Sequence, residues 1–93
     1  MATAEKSERQ LERIVKGFAN HRRIQILGLL DEQAELSLRE VCDRLRIGIK
    51  TGSEHLRRLA IAGLVLKRNE GRWVRHRLTP RGANILTFLR MLE

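Results

Sequence analysis

Apolar residues return at spacings of three and four through Leu11, Ile14, Val15 and Phe18, the stripe of an amphipathic helix over about Ser7 to Phe18. Asn20 is a good N-cap for a second helix, in which Ile24, Ile26, Leu27, Leu29 and Leu30 point nearly all round the axis. A helix apolar on every side is a buried one. Ala34 to Leu38 has room for a small strand, and Ser37 and Glu40 then stand in the Ser-x-x-Glu relation of a capping box. The third helix starts there, carries Val41, Cys42 and Leu45 on one face, and ends near Arg46 to Gly48, where glycine permits the positive φ of a tight turn. Gly52, Leu56, Leu59 and Gly63, spaced four, three and four, mark the inner face of a fourth helix that Gly63 stops. Thr51 and Glu54 offer another capping box, so this helix begins at Gly48 or nearer Thr51. Leu64-Val65-Leu66 and Trp73 to Leu78 are β-type runs flanking the turn-prone Asn69-Glu70-Gly71, a hairpin signal. Thr79 as N-cap and Pro80 at the first helical position open a last helix with Ile85, Phe88, Leu89 and Leu92 on its apolar face. Leu86 and Met91 lie off that stripe.

The order helix, helix, short strand, helix, turn, helix, hairpin, helix predicts a mainly α fold with a small β-hairpin. About five helices and a two- or three-stranded wing sheet make a winged helix-turn-helix. Ninety-three residues suffice for one domain, taken as 1–93, and are too few for a substrate cleft enclosed by its own walls. No Gly-rich phosphate loop, nucleophile elbow or close acid-base pair is visible, which argues against an enzyme. No apolar run approaches the ~20 residues that span a bilayer, and Met1-Ala2-Thr3-Ala4-Glu5-Lys6 holds no secretion-signal core. A soluble, cytoplasmic, nucleoid-associated prokaryotic protein is expected. The lone Cys42 has no intrachain disulfide partner, sits on the inner face of its helix, and reads as a small core residue.

Charge sharpens this outline, because nineteen Lys and Arg stand against eleven Asp and Glu. Between Lys50 and Arg81 the net charge is +7, and the other sixty-one residues contribute only +1. Such a concentrated field suits a polyanion, whose counterions are released when phosphates are neutralised. The third and fourth helices are short and joined by a tight turn, the geometry in which the fourth lies in a DNA major groove. This reader helix, about 49–62, offers Ile49, Lys50, Thr51, Ser53, Glu54, Arg57 and Arg58 to duplex DNA. On the wing, 66–77, Arg68, Arg72, Arg75 and Arg77 are expected to reach backbone phosphates or a minor groove. His55 flanks the apolar stripe as a packed histidine, and Trp73 is expected to pack the wing against the body.

Three stretches resemble the ArsR-type winged-helix repressors: Ala19-Asn20-His21-Arg22-Arg23-Ile24-Gln25-Ile26-Leu27, Ser53 to Leu59 with Ala62-Gly63-Leu64-Val65, and Glu70-Gly71-Arg72-Trp73-Val74 with Arg77-Leu78. Leu78-Thr79-Pro80-Arg81-Gly82 is equally at home in MarR-type regulators. The resemblance implies sequence-specific binding of a palindromic site by a homodimer, most often in repression. The dimer would form through the terminal helices, at Leu11, Ile14, Val15, Phe18, Ile85, Leu86, Phe88, Leu89 and Leu92. It also implies base contacts at Ile49, Lys50, Ser53 and Glu54, although the family often has Gln in place of Ile49 and His in place of Glu54. Those two departures favour an alternative, an architectural or protein-interaction module that kept the shape and lost base readout. Gly52 replaces a β-branched core residue and is expected to weaken its helix by roughly 1 kcal/mol relative to Ala. The positions of the family's Cys-x-Cys metal pair hold Ser37 and Arg39, and the last helix has no His. Cys42, His21, His55 and His76 fall on different elements, so no metal and no cofactor is expected.

Overall fold

Capping groups set the helix boundaries in the computed structural model, which describes residues 5–93. Ser7 and Gln10 form a reciprocal capping box at the start of α1 (Glu8–Phe18). Asn20 accepts from the backbone N–H groups of Arg22 and Arg23 and opens α2 (His21–Glu32). The strand β1 (Leu36–Ser37) runs directly into α3 (Leu38–Leu45), with the Ser37–Glu40 box formed in both directions. After α4 (Ile49–Ile61) come β2 (Val65–Glu70), β3 (Trp73–Leu78) and α5 (Pro80–Arg90), whose Thr79 cap accepts from the N–H of Gly82. The reading of Met1 to Ala4 as carrying no secretion signal lies outside the described residues.

Three local expectations change. The left-handed backbone at the end of α3 falls on Arg46, φ 57°, while Gly48 is extended and serves as the N-cap of α4. Arg46 therefore bears the ~1–2 kcal/mol that an L-residue costs in this region. The α4 helix starts at Ile49 with no side-chain cap, so Thr51 and Glu54 form no capping box. At the hairpin, β2 continues to Glu70 and the turn is the two-residue Gly71-Arg72, with Glu70 opposite Trp73. Positive φ at Gly71 alone of this pair, +62°, is the pattern of a type II′ turn, which matches the strand twist.

The sheet is antiparallel in the order β1-β3-β2. Its inner face presents Leu36, Val65 and His76 to a core built from Phe18, Ile26, Leu27, Leu30, Val41, Leu56, Leu59, Leu64 and Leu86. His76 sits between strands: Leu36 lies opposite it, and its Nδ1 is 3.1 Å from the Leu36 carbonyl oxygen. A carbonyl only accepts, so Nδ1 carries a proton and donates. Burial pushes the His76 pKa down despite that bond, which pulls the other way.

Three arginines, Arg22, Arg23 and Arg81, bind helix C-termini. Arg23 donates to the Lys16 and Gly17 carbonyls at the end of α1, and Arg22 to the Leu45 carbonyl at the end of α3. Arg81 donates to the Ala62 carbonyl beyond α4, with its guanidinium across Gly63. Each joins two elements while satisfying carbonyls that a helix end leaves free.

The last helix is rotated from its expected phase. Leu86 is buried in the core, Ile85 and Leu89 are half-buried against it, and Phe88, Met91 and Leu92 are exposed. The inner face is set by Gly82, where a Cβ would overlap the Leu64 carbonyl, so that face continues one turn later at Leu86. Phe18 and Leu86, placed in the expected dimer set, thus belong to the subunit's own core. Among the described residues no helix is long and apolar enough to cross a membrane.

Candidate nucleic-acid interface

The α4 helix packs Gly52, Leu56 and Leu59 inward and leaves Ile49, Lys50, Thr51, Ser53, Glu54, Arg57 and Arg58 exposed. Its close approach to α3 depends on Gly52: a Cβ there would overlap the Sγ of Cys42, with Ile47 and Leu38 also in contact range. Cys42 is 2% exposed and burial raises its thiol pKa, the signature of a packed and unreactive thiol. The missing side chain at Gly52 is therefore filled by the sulfur of the neighbouring helix.

On the exposed face Glu54 accepts two hydrogen bonds from Arg57, at 3.0 and 2.9 Å, and one from Arg58 at 2.9 Å. Those bonds hold the Glu54 carboxyl far below the ordinary range, at about 2. Glu54, expected to read a base, lies between two exposed arginines. His55 is half-buried and accepts from the Arg23 Nε at 3.3 Å. Burial, then the Arg23 charge, lowers its pKa, so it is a neutral packed residue.

Alternation along the hairpin divides the wing cations between two faces. Arg68 and Arg75 are directly opposite one another and share the outer face with Trp73 and Arg77. Arg68 is held by Glu35, at 2.6 and 3.2 Å, and Arg75 by Glu70 at 3.3 Å with Glu40 at 3.8 Å. Arg72 in the turn and Arg77 on β3 have no carboxylate within 4 Å among the described residues, and the same holds for Lys50 and Lys67.

Lys67 is a further wing cation, outside the expected set. Opposite His76, on the inner face, it lines a cleft of about 200 Å³ between the wing and the reader helix, with Ser53 on the other wall. The signal that finds it is the two-residue period counted along β2 from the buried Val65. The expectation that Trp73 packs the wing onto the body is not met, because it lies next to the turn, beyond the reach of the core, and is 60% exposed. It borders a groove of about 560 Å³ with Leu38, Ile49 and Val74.

Of the expected dimer residues, Leu11, Val15, Phe88 and Leu92 are exposed, Ile14 is half-buried, and Ile85 and Leu89 are half-buried beside the core. Among the described residues no three His, Cys, Asp or Glu side chains converge as metal ligands would.

An exposed helix, held by a tight turn against its predecessor and flanked by a cation-bearing hairpin, defines a winged-helix DNA-binding domain. The chain belongs to that family: the profile described as Winged helix DNA-binding domain matches residues 20–82. Within it, the chain is 37% identical over 67 residues to the arsenical resistance operon repressor of Escherichia coli K12, 72% of this chain and 57% of that protein. The chain thus matches little more than half of the repressor's length. HlyU from Vibrio cholerae superposes with a TM-score of 0.79 at 34% identity, covering 95% of this chain and 96% of that one. The homodimeric winged helix-turn-helix domain of Mb0332 from Mycobacterium bovis, a possible ArsR-family regulator, superposes with a TM-score of 0.80 at 29% identity, covering 97% and 89%.

Proposed function

We propose that this chain binds double-stranded DNA sequence-specifically as a homodimeric transcriptional regulator, acting as a repressor, with residues 1–93 working as one domain. The observation that carries this reading is the exposed α4 beside a wing with cations free of carboxylates, Lys67 on the face toward α4, Arg72 in the turn and Arg77 on the outer face. In this arrangement Lys50, Thr51 and Ser53 enter the major groove from the start of α4, where side chains reach base edges. Arg57 and Arg58 take phosphates from the middle of the helix, and the wing cations take backbone or minor-groove contacts. Leu11, Val15, Phe88 and Leu92 supply the dimer surface. The work is binding and not catalysis, and its place is the nucleoid of a prokaryotic cytoplasm.

The test has two parts. Selection of genomic fragments by the purified protein is expected to enrich one palindrome. Substituting Lys50, Arg57 and Arg58 together by Ala is then expected to weaken binding to that palindrome while leaving the fold intact by circular dichroism. A folded triple variant that binds unchanged excludes α4 as the reader.

A second reading, an architectural module without base readout, is favoured by one observation. Glu54 is committed to Arg57 and Arg58, and the neighbouring Ile49 offers no hydrogen bond. Uniform recovery of fragments in the same selection supports that reading.

A further inference from the structure

A second concentration of positive charge lies away from the reader's leading turn, in a cleft of about 410 Å³ between α1 and the C-terminal half of α4. Arg13 and Lys16 come from α1, Arg57 and Arg58 from α4, and no carboxylate lines it. The closest acids stand to its sides: Glu12 on Lys16 at 2.7 Å, and Glu54 on both arginines. The cleft is built by close packing. A Cβ at Gly17 would come within 2.6 Å of the Ala62 Cβ, so only small residues let the two helices approach and bring their cations to one opening. Ile61, 71% exposed, lies among those cations as an apolar surface of the kind a deoxyribose packs against.

The charges of this corner also act on one another. Arg23 is held below the ordinary guanidinium value by burial and then by Arg58, and His55 in turn by burial and then by Arg23. Clustered cations of this sort carry a repulsion that an anion relieves.

We propose that this cleft holds a backbone phosphate of the same duplex that α4 enters, which makes α1 part of the DNA interface. Resting on the DNA-binding reading above, this assigns Arg13 and Lys16 a role outside both reader helix and wing. A phosphorylated small molecule shares the chemistry and is separated from DNA by the test.

Phosphate recognition is independent of sequence, so the probe is a random-sequence 30-base-pair duplex, titrated by fluorescence anisotropy against the full chain over a range of KCl. The double variant R13A/K16A is expected to bind about tenfold more weakly at low salt. Its plot of log affinity against log salt is expected to flatten by about 0.9 for each phosphate that the variant no longer neutralises. A charge-matched variant, R9A/R90A, removes two exposed cations outside the cleft and is expected to keep the wild-type slope. Equal flattening in both variants, or none in R13A/K16A while Lys50→Ala flattens it, overturns the proposal and leaves the reader standing. If the unaltered chain binds no duplex, the DNA-binding reading fails first. Inorganic phosphate titrated against the Arg13 Nε–H signal by NMR completes the test: saturation at sub-millimolar phosphate with an unchanged DNA slope in R13A/K16A assigns the cleft to a free ligand and overturns the proposal. Weakened self-association of R13A/K16A in sedimentation, again with unchanged slope, assigns it to the dimer and also overturns the proposal.

Discussion

At the scale of single residues, Gly52 and Cys42 show how an apparent defect is local complementarity. Glycine in the interior of α4 costs about 1 kcal/mol of helix propensity relative to Ala. A methyl group there has no space, because the Cys42 Sγ fills it and Ile47 and Leu38 close the sides. Overpacking a core of this kind costs about 1–3 kcal/mol, so the clash outweighs the gain in propensity. Gly52→Ala is therefore expected to lower stability in urea unfolding, and G52A/C42A to recover most of that loss; additive losses in the double variant contradict the pairing. Glu54 gives a second prediction. Its carboxyl, brought to about 2 by Arg57 and Arg58, stays ionised at every pH a binding assay uses. Glu54→Gln keeps the shape and removes the countercharge, so affinity for random-sequence duplex is expected to rise and its salt dependence to steepen, by up to about 0.9 for each further phosphate neutralised. Caps such as Asn20 and the Ser37–Glu40 box were legible because both partners lie within three residues of each other. Gly52 and Cys42 were not, since their meeting depends on how closely two helices cross. The Glu54 pairs did stand at helical spacing, but that spacing also fitted a capping box with Thr51, and only the helix start at Ile49 separates the two readings.

Among elements, the wing shows most clearly what pattern alone leaves open. Its two strands were plain from their β-branched and aromatic residues, yet the faces of Arg68, Arg72, Arg75 and Arg77 depend on register, which the turn fixes. The turn lies at Gly71-Arg72, one residue beyond the expected Asn69-Glu70-Gly71, and β2 is correspondingly longer. Lys67 consequently faces α4, while Arg68 and Arg75 lie on the outer face with carboxylate partners. The wing's attachment to the body brings a pH dependence, because His76, which fastens β3 to β1, is buried and burial disfavours its charged form. Its folded pKa is lowered below 6.5, and so is that of His55 on α4. A group whose pKa falls on folding binds protons more readily when unfolded, so its stability contribution is complete above about pH 6.5 and is lost as pH drops toward the folded value. Unfolding free energy is thus expected to decline from pH 7 to pH 5, with the His76 ring titrating below 6.5 by NMR. Titration of His76 at or above 6.5 contradicts the burial argument.

For the whole molecule, net charge overstates the DNA-facing surface and hydrophobic count understates the apolar one. Within the +7 segment Arg81 caps a helix, Arg68 and Arg75 are tied to acids, and Arg57 and Arg58 share Glu54. Lys50, Lys67, Arg72 and Arg77 remain as cations without a carboxylate partner among the described residues. Composition counts charges and does not see which are already neutralised; that requires pairs such as Arg68–Glu35, thirty-three residues apart. The apolar surface errs in the other direction. Leu11 and Val15 on α1 are both 49% exposed, and Phe88, Met91 and Leu92 are between 52% and 75% exposed, the residues assigned above to the dimer surface with Met91 added. In the dimer proposed above, a second copy covering them would bring two α4 helices onto one duplex, and linking two binding events typically gains 10²–10⁴ in affinity. Charge placed on this surface separates association from folding, since Val15 and Phe88 already lie half in solvent and neither belongs to the core. V15E/F88E is expected to keep its helical circular dichroism, sediment as a monomer at micromolar concentration, and lose at least a hundredfold in affinity for a palindrome. Its affinity for an isolated half-site is expected to stay near that of the unaltered chain, because α4 and the wing are untouched. A variant that remains dimeric, or that loses half-site and palindrome binding alike, places the dimer surface elsewhere than on these residues.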